Sequence, residues 1–194
     1  MIRGENIGKR FGARTVLRGL NFRIERGEAV AVRGENGAGK STLLKIIAGL
    51  VVPTTGKVTC ELDGTARDWC GLGAPDAPLP RELTCRENLE FLATLRGLPP
   101  ESVDAQLEKF GLRLRRFDLA GELSSGLRTR LQLAAATLHS PQVLLLDEPS
   151  ANLDASGRAM LEEMLVEQRT RGIVLLATND EREAALCDRS LSVK

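Results

Sequence analysis

The residues best suited to chemistry in this 194-residue chain form a glycine-rich run at positions 34–42, G-E-N-G-A-G-K-S-T. The run matches G-x-x-x-x-G-K-[ST], a pattern whose glycines let successive backbone N–H groups turn toward phosphate oxygens. A helix that follows such a loop adds its own unpaired N–H groups and the positive end of its dipole. We expect Lys40 to reach the β- and γ-phosphates of a nucleotide and the Ser41 hydroxyl to bind Mg²⁺.

The predicted phosphate-binding residues are Gly34, Glu35, Asn36, Gly37, Ala38, Gly39, Lys40, Ser41 and Thr42. The alternative is a chance match in a flexible turn. An apolar strand predicted before the loop and a helix predicted after it favour the phosphate loop over that alternative.

Two adjacent carboxylates, Asp147 and Glu148, follow the apolar run V-L-L-L at positions 143–146. A strand that is apolar on both faces lies inside a parallel sheet, and ligands bind at the carboxyl ends of such strands. One carboxylate can hold Mg²⁺, and its neighbour can take a proton from an attacking water. We therefore predict Asp147 as a metal ligand and Glu148 as the catalytic base. A solvated helix start with two acidic residues is the alternative for this pair alone.

The elements around these motifs alternate between strand and helix. Strands are predicted at 20–24, 29–32, 57–62, 69–72, 143–146, 173–177 and 189–193, the last at an edge. Helices are predicted at 41–50, from Thr84 to about Gly97, at 101–110, at 126–139 and from Asp154 to 171. Buried strands separated by helices predict an α/β fold with a mainly parallel sheet.

The composition excludes several classes of protein. Lys plus Arg number 27 and Asp plus Glu 26, so the net charge is +1, and only five Phe and one Trp are present. A chain without a basic excess or aromatic platforms is not expected to bind nucleic acid. The longest apolar stretch, 46–52, is too short to span a bilayer, and the amino terminus has no apolar signal segment. We expect the four scattered cysteines to be reduced thiols in the cytosol.

A third motif distinguishes among the many enzymes that use a phosphate loop. The run L-S-S-G-L at 123–127 resembles the LSGGQ signature of ABC-type ATPases and lies just before the strand that carries Asp147. The run E-P-S-A-N-L-D at 148–154 resembles the D-loop of the same family. The resemblance covers essentially the whole chain.

This resemblance implies the ABC ATPase fold over residues 1–194. That fold has a phosphate-loop core, a small antiparallel β subdomain, and a Q-loop and helical signature subdomain inserted at about 74–140. It also implies a head-to-tail dimer in which Ser124, Ser125 and Gly126 contact the ATP held by a second subunit. From the residues themselves, Ser124 is also suited to cap the following helix. Phe11 occupies the position of the adenine-stacking aromatic, with a core Phe as the alternative.

Two positions depart from the family pattern. The family's Q-loop carries Gln, but the run G-A-P-D-A-P at 73–78 has none, and we take Asp76 as its substitute near Mg²⁺. Asn179 stands where the family has a histidine after its last core strand. An amide can donate to a γ-phosphate but cannot carry a proton or a positive charge. Both departures bear on the rate of hydrolysis more than on ATP binding.

The resemblance implies an ATP- and Mg²⁺-dependent ATPase subunit that drives a separate transmembrane permease from the cytoplasmic face of the inner membrane. Within the family, the chain is similar to the haem-exporter ATPase of cytochrome c maturation. The run E-L-T at 82–84 and the run E-N-L at 87–89 carry that similarity. One alternative is an ABC ATPase that acts as a switch on a cytosolic partner. Another is a small kinase or GTPase. The absence of an N-K-x-D motif disfavours a GTPase. A nucleotide kinase usually has an arginine-rich lid, but Arg113, Arg115 and Arg116 follow a predicted helix and are interpreted as surface residues.

Overall fold

The computed structural model describes residues 1–76 and 79–194. In chain order its strands are β1 Ile2–Phe11, β2 Arg14–Ile24, β3 Ala29–Arg33, β4 Thr55–Cys60, β5 Cys70–Gly73, β6 Val143–Asp147, β7 Ile173–Ala177 and β8 Arg189–Ser192. Its α-helices are α1 Lys40–Ile47, α2 Ala66–Trp69, α3 Cys85–Leu95, α4 Glu101–Lys109, α5 Ser125–Thr137, α6 Ala155–Arg171 and α7 Glu181–Ala184. A 3-10 turn covers Arg113–Arg115.

The central sheet is parallel and has the order β5-β6-β7-β3-β8. β6 and β7 are buried along their whole length, as their unbroken apolar sequences predict. β8 stands at the end of this order, next to β3, which confirms the predicted edge strand. Because parallel strands end at the same edge, the residues that follow β3, β6 and β7 meet there.

A second, antiparallel sheet has the order β2-β1-β4. It packs with α1 against one face of the parallel sheet, and α3 to α6 cover the other face. The side chains of β6 divide accordingly: Val143 and Leu145 face the first layer, and Leu144 and Leu146 the second. The predicted α/β fold with a mainly parallel sheet is confirmed.

The cap predictions are confirmed at α3 and α6. The Thr84 side chain accepts from the Glu87 backbone N–H while the Glu87 carboxylate accepts from Thr84, which is a complete capping box. Asp154 accepts from the Gly157 N–H at 2.8 Å, and this hydrogen bond is the main reason that the pKa of Asp154 is lowered. The structure therefore begins α3 and α6 where the sequence indicates.

Several elements differ from the sequence predictions: β2 begins at Arg14 and not at residue 20, β4 covers 55–60 and not 57–62, and α1 and α5 end two or three residues early. Trp69, predicted to begin a strand, instead ends the short helix α2, which the Thr65–Asp68 capping box starts. Asp147, predicted to follow its strand, is the last residue of β6 because it still pairs with Ala177. Strand β1 was not predicted, and its pairing with β2 shows three register shifts that interrupt the alternation of side chains. Among the helices of the described ranges, none is both long and apolar enough to cross a bilayer.

Candidate functional site

The glycine-rich loop joins β3 to α1, as predicted. Gly39 has a φ of 106°, and a Cβ there would lie 2.8 Å from the side chains of Leu17 and Val16. Only glycine meets both conditions, because other residues rarely adopt this conformation and none fits the space. The second requirement for glycine is at Gly37, which has a φ of 82°. These two residues shape the loop before α1 begins at Lys40.

Lys40 is a charged side chain that the loop buries, with 6% of its surface exposed. Its Nζ donates to the Gly34 carbonyl at 2.8 Å and to Asn179 Oδ1 at 3.3 Å. The Asn179 amide in turn donates to Asn36 Oδ1 at 2.9 Å. The structure therefore brings Asn179 to the phosphate loop, where it contacts the lysine and a loop side chain at once.

The two carboxylates leave β6 in different environments. Asp147 is 9% exposed at the end of the strand, whereas Glu148 is exposed. Glu148 has a φ of 47°, a left-handed conformation that is uncommon outside glycine. Its backbone N–H donates to the Ala177 carbonyl at 2.8 Å, which ties the turn after β6 to the end of β7.

An open pocket of about 600 Å³ collects most of the predicted residues. Loop residues line it together with the carboxylate pair, and so do residues from the antiparallel sheet. Its lining comprises Phe11, Arg14, Val16, Asn36, Gly37, Gly39, Lys40, Ser41, Thr42, Pro75, Asp76, Asp147 and Glu148. Elements that are far apart in sequence thus converge on one cavity large enough for a nucleotide.

Phe11 is the aromatic residue of this pocket. It is 52% exposed, so the alternative of a core Phe is wrong. The Lys9 ammonium lies 4.9 Å from the centroid of its ring. An aromatic ring that is exposed at the pocket wall can stack on a planar base.

Asp76 also lines the pocket, in the position predicted for a Q-loop substitute. Its carboxylate forms an ion pair with Lys45 of α1. The last two positions of the predicted Q-loop run, 77 and 78, lie outside the described residues. Asp76, Asp147 and Ser41 line the same cavity, and their side chains carry the oxygen donors that Mg²⁺ prefers. This donor set fits Mg²⁺.

The signature residues lie elsewhere. Ser124 caps α5 through a hydrogen bond from the Leu127 N–H at 3.3 Å, so its predicted capping role is confirmed. A Cβ on Gly126 would lie 2.8 Å from the Asn152 carbonyl, which explains a glycine there. Arg130 of α5 pairs with Asp154 at 2.9 Å. Gly126 therefore lies close to Asn152 of the D-loop, and Arg130 further along α5 pairs with the last D-loop residue. Ser124, Ser125 and Gly126 are not among the residues that line the pocket of their own chain.

Sequence reasoning missed one cation of the pocket, Arg14. It is the register partner of Phe11 across the β1–β2 hairpin, and its guanidinium lies 3.5 Å from the Gly37 carbonyl. The signal was present in the sequence, because the Gly12-Ala13 turn places the residues on either side of it opposite each other. It was overlooked because β1 itself was not predicted.

The phosphate loop, the carboxylate pair and the sheet order define a nucleotide-binding domain of the phosphate-loop class. Residues 17–151 match the ABC transporter family, and the chain belongs to that family. It is an ATP-binding domain of the ABC ATPase type.

Two relatives and one solved structure illustrate the similarity. The chain is 31% identical over 201 residues to the linearmycin resistance ATP-binding protein LnrL of Bacillus subtilis (strain 168), covering 97% of this chain and 65% of LnrL. It is 32% identical over 182 residues to the lantibiotic transport ATP-binding protein SrtF of Streptococcus pyogenes, covering 92% of this chain and 80% of SrtF. The chain thus spans just under two thirds of LnrL. A solved ATP-binding subunit of an ABC transporter aligns over 100% of this chain and 85% of its own, with a TM-score of 0.85 and 29% identity.

Proposed function

We propose that this chain hydrolyses ATP as a dimer and thereby drives a separate transmembrane permease. The observation that carries the proposal is the convergence of Lys40, Ser41, Asp147 and Glu148 on one pocket with an exposed aromatic ring. The loop and the carboxylate pair serve phosphoryl transfer, in which the protein mainly positions groups and stabilises charge.

Each predicted site residue of this chain has a distinct role in the proposal. Phe11 stacks on adenine, and Lys40 with the loop N–H groups binds the phosphates. Ser41, Asp147 and Asp76 hold Mg²⁺, which when bound neutralises charge on the phosphate oxygens. Glu148 accepts the proton of the attacking water, and Asn179 donates to the γ-phosphate.

The second half of the site comes from another copy of the chain. Ser124, Ser125 and Gly126 lie outside the pocket of their own chain, at the start of α5, where a helix offers unpaired N–H groups to an anion. We propose that they contact the ATP of a second subunit in a head-to-tail dimer. In this arrangement residues 1–194 are one ATPase domain, and residues 74–140 are the inserted Q-loop and helical subdomain.

In this proposal the permease partner selects the substrate that is transported. The names of the two relatives above concern linearmycin resistance and lantibiotic transport. Export of haem for cytochrome c assembly stays a prediction, which rests on the short chain and on the residues at 82–89. We propose that the chain works on the cytoplasmic face of the inner membrane. Co-purification with a multi-span membrane protein from native membranes tests this, whereas a salt-sensitive complex with a cytosolic partner would support the alternative of a switch.

The test of hydrolysis is Glu148→Gln, which keeps the shape of the side chain but removes the proton acceptor. We expect turnover to fall about 10²–10⁴-fold while ATP affinity is retained, because a positioned base contributes about that factor. Asn179→His should raise turnover by restoring the family's usual donor. Glu163→Gln, a matched change on the exposed side of α6, should leave turnover unchanged. Undiminished turnover in Glu148→Gln would show that Glu148 is not the base.

A further inference from the structure

A buried carboxylate lies next to the site without lining it. Glu183 of α7 is 5% exposed, although Glu is rarely buried unless it has a partner. Its Oε1 accepts a hydrogen bond of 2.9 Å from the backbone N–H of Ser150. Ser150 follows Glu148 by two residues, so this bond reaches the turn that carries the proposed base.

The helix that carries Glu183 is itself held against the sheet. α7 begins at Glu181, two residues after Asn179, and is capped by Asp180, which accepts from the Arg182 N–H at 2.7 Å. The guanidinium of Arg33, at the end of β3, forms two hydrogen bonds of 2.9 and 2.5 Å to the Glu181 carboxylate. The hydrogen bond from Arg33 is also the main reason that the pKa of Glu181 is lowered. Glu183 therefore projects from a support that is fixed next to the phosphate loop.

Glu148 lies beside two hydrogen bonds that join the turn after β6 to the segment after β7. Its own N–H donates to Ala177 at 2.8 Å, and the Ser150 N–H donates to Glu183 at 2.9 Å. Asn179 lies between Ala177 and Glu183 in the sequence. A residue with a φ of 47° needs such outside contacts to hold its conformation, because the chain alone disfavours it.

We propose that Glu183 is a positioning residue that holds the carboxylate of Glu148 toward the phosphate-loop pocket. It acts through the Ser150 backbone and makes the segments that carry Glu148 and Asn179 move as one unit. Asn179 contacts Lys40 and Asn36, so the unit extends to the phosphate loop. This inference rests on the proposed role of Glu148. It assigns Glu183 no contact with ATP, so its removal acts on turnover and not on binding.

Three substitutions of Glu183 separate the effect of its hydrogen bond to Ser150 from the effect of its charge. Glu183→Ala removes the acceptor, and Glu183→Asp keeps the charge but withdraws it by one methylene from the Ser150 N–H. Glu183→Gln keeps an acceptor oxygen at the same reach. We expect kcat to fall about 10- to 100-fold in the Ala and Asp variants and to stay within about threefold in Gln, because a misplaced catalytic group loses rate. The Kd for ATP should change less than about twofold in all three.

Gln168 provides a matched control. It is a buried polar side chain of α6 that donates to the Pro141 carbonyl at 2.7 Å, near the opposite end of β6 from Ser150. Gln168→Ala should lower the Tm, as the loss of any buried hydrogen bond does, without changing kcat. If Glu183→Ala fails to fold, the comparison of Asp with Gln decides the question.

Glu148→Gln, measured in parallel, distinguishes a failure of the catalytic role of Glu148 from a failure of the positioning role of Glu183. If Glu148→Gln keeps its turnover, the proposed catalytic role is wrong. If Glu148→Gln loses turnover while the Ala and Asp variants of Glu183 keep theirs, only the positioning role is overturned. A Gln variant as slow as Ala would also overturn it, because charge and not position would then be decisive. In a Glu148→Gln background, Glu183→Ala should cause no further loss of kcat.

Discussion

Lys40 shows at the scale of one residue how the fold prepares a charge for an anionic ligand. Its ammonium group is buried and donates to two loop carbonyls and to Asn179. All of these acceptors are neutral, and Lys40 forms no ion pair with a carboxylate of residues 1–76 and 79–194. A buried charge of this kind is favourable when a phosphate completes its surroundings.

Lys40→Ala should weaken ATP binding about 30- to 150-fold. The lost charge-assisted bonds contribute on the order of 2–3 kcal/mol, while the backbone N–H contacts of the loop survive. Calorimetric titration with ATP measures the effect, and Lys57→Ala, on the exposed strand β4, is the matched control. Equal affinities in the Lys40→Ala variant and the parent would refute the phosphate-loop assignment.

The sequence was most informative for residues whose role depends on a short motif. The residues at 34–42, 123–127 and 147–154 each combine several residue types at fixed spacing, and the structure brings residues of the first and third runs to one pocket. Arg14 and Glu183 carry no such motif. Their positions depend on the hairpin register of β1 with β2 and on the docking of α7, both of which are tertiary contacts.

At the scale of elements, the long periodic segments were predictable and the short ones were not. Unbroken apolar runs predict buried strands such as β6 and β7. α2 and α7 each have four residues, about one turn, so no helical period can be read from them. β1 is ten residues long, but its register shifts interrupt the alternation by which a strand is recognised.

His139 joins two elements and makes their packing dependent on pH. It follows α5, and its Nε2 lies 3.1 Å from the carbonyl of Cys70, the first residue of β5. Nδ1 is buried and has no hydrogen-bond partner within residues 1–76 and 79–194. Burial, with a smaller contribution from Arg96, lowers the pKa of His139 to about 4.

Stability should therefore fall as the pH drops from about 6.5 toward 4. In that window the unfolded chain binds a proton that the folded chain excludes, because the pKa is lower in the folded state. Allowing for the partial exposure of the ring, we expect a loss of about 1 kcal/mol between pH 7 and pH 5, or roughly 2–4 °C in Tm. In thermal melts, the His139→Gln variant should lose less stability between pH 7 and pH 5 than the parent does, by about that amount. An identical pH dependence in the variant and the parent would contradict this account.

At the scale of the whole molecule, the phosphate-loop pocket and the signature residues lie apart within one chain. The pocket beside the phosphate loop lacks the signature residues, and Gly126 of the signature lies close to the D-loop of its own chain. We propose that a second copy turned head to tail supplies the missing half to each pocket, and that ATP holds such a pair together until hydrolysis releases it.

The most direct test of this claim is the size of Glu148→Gln in solution with ATP and Mg²⁺, measured by light scattering coupled to size-exclusion chromatography. A site that binds ATP but cannot hydrolyse it should trap the dimer, at twice the 21.0 kDa of one chain. The same variant without nucleotide, and the Lys40→Ala, Glu148→Gln double variant with ATP, should both remain at the mass of one chain. If Glu148→Gln stays a single chain while calorimetry shows its pocket saturated with ATP, the account of a shared, ATP-held dimer is contradicted.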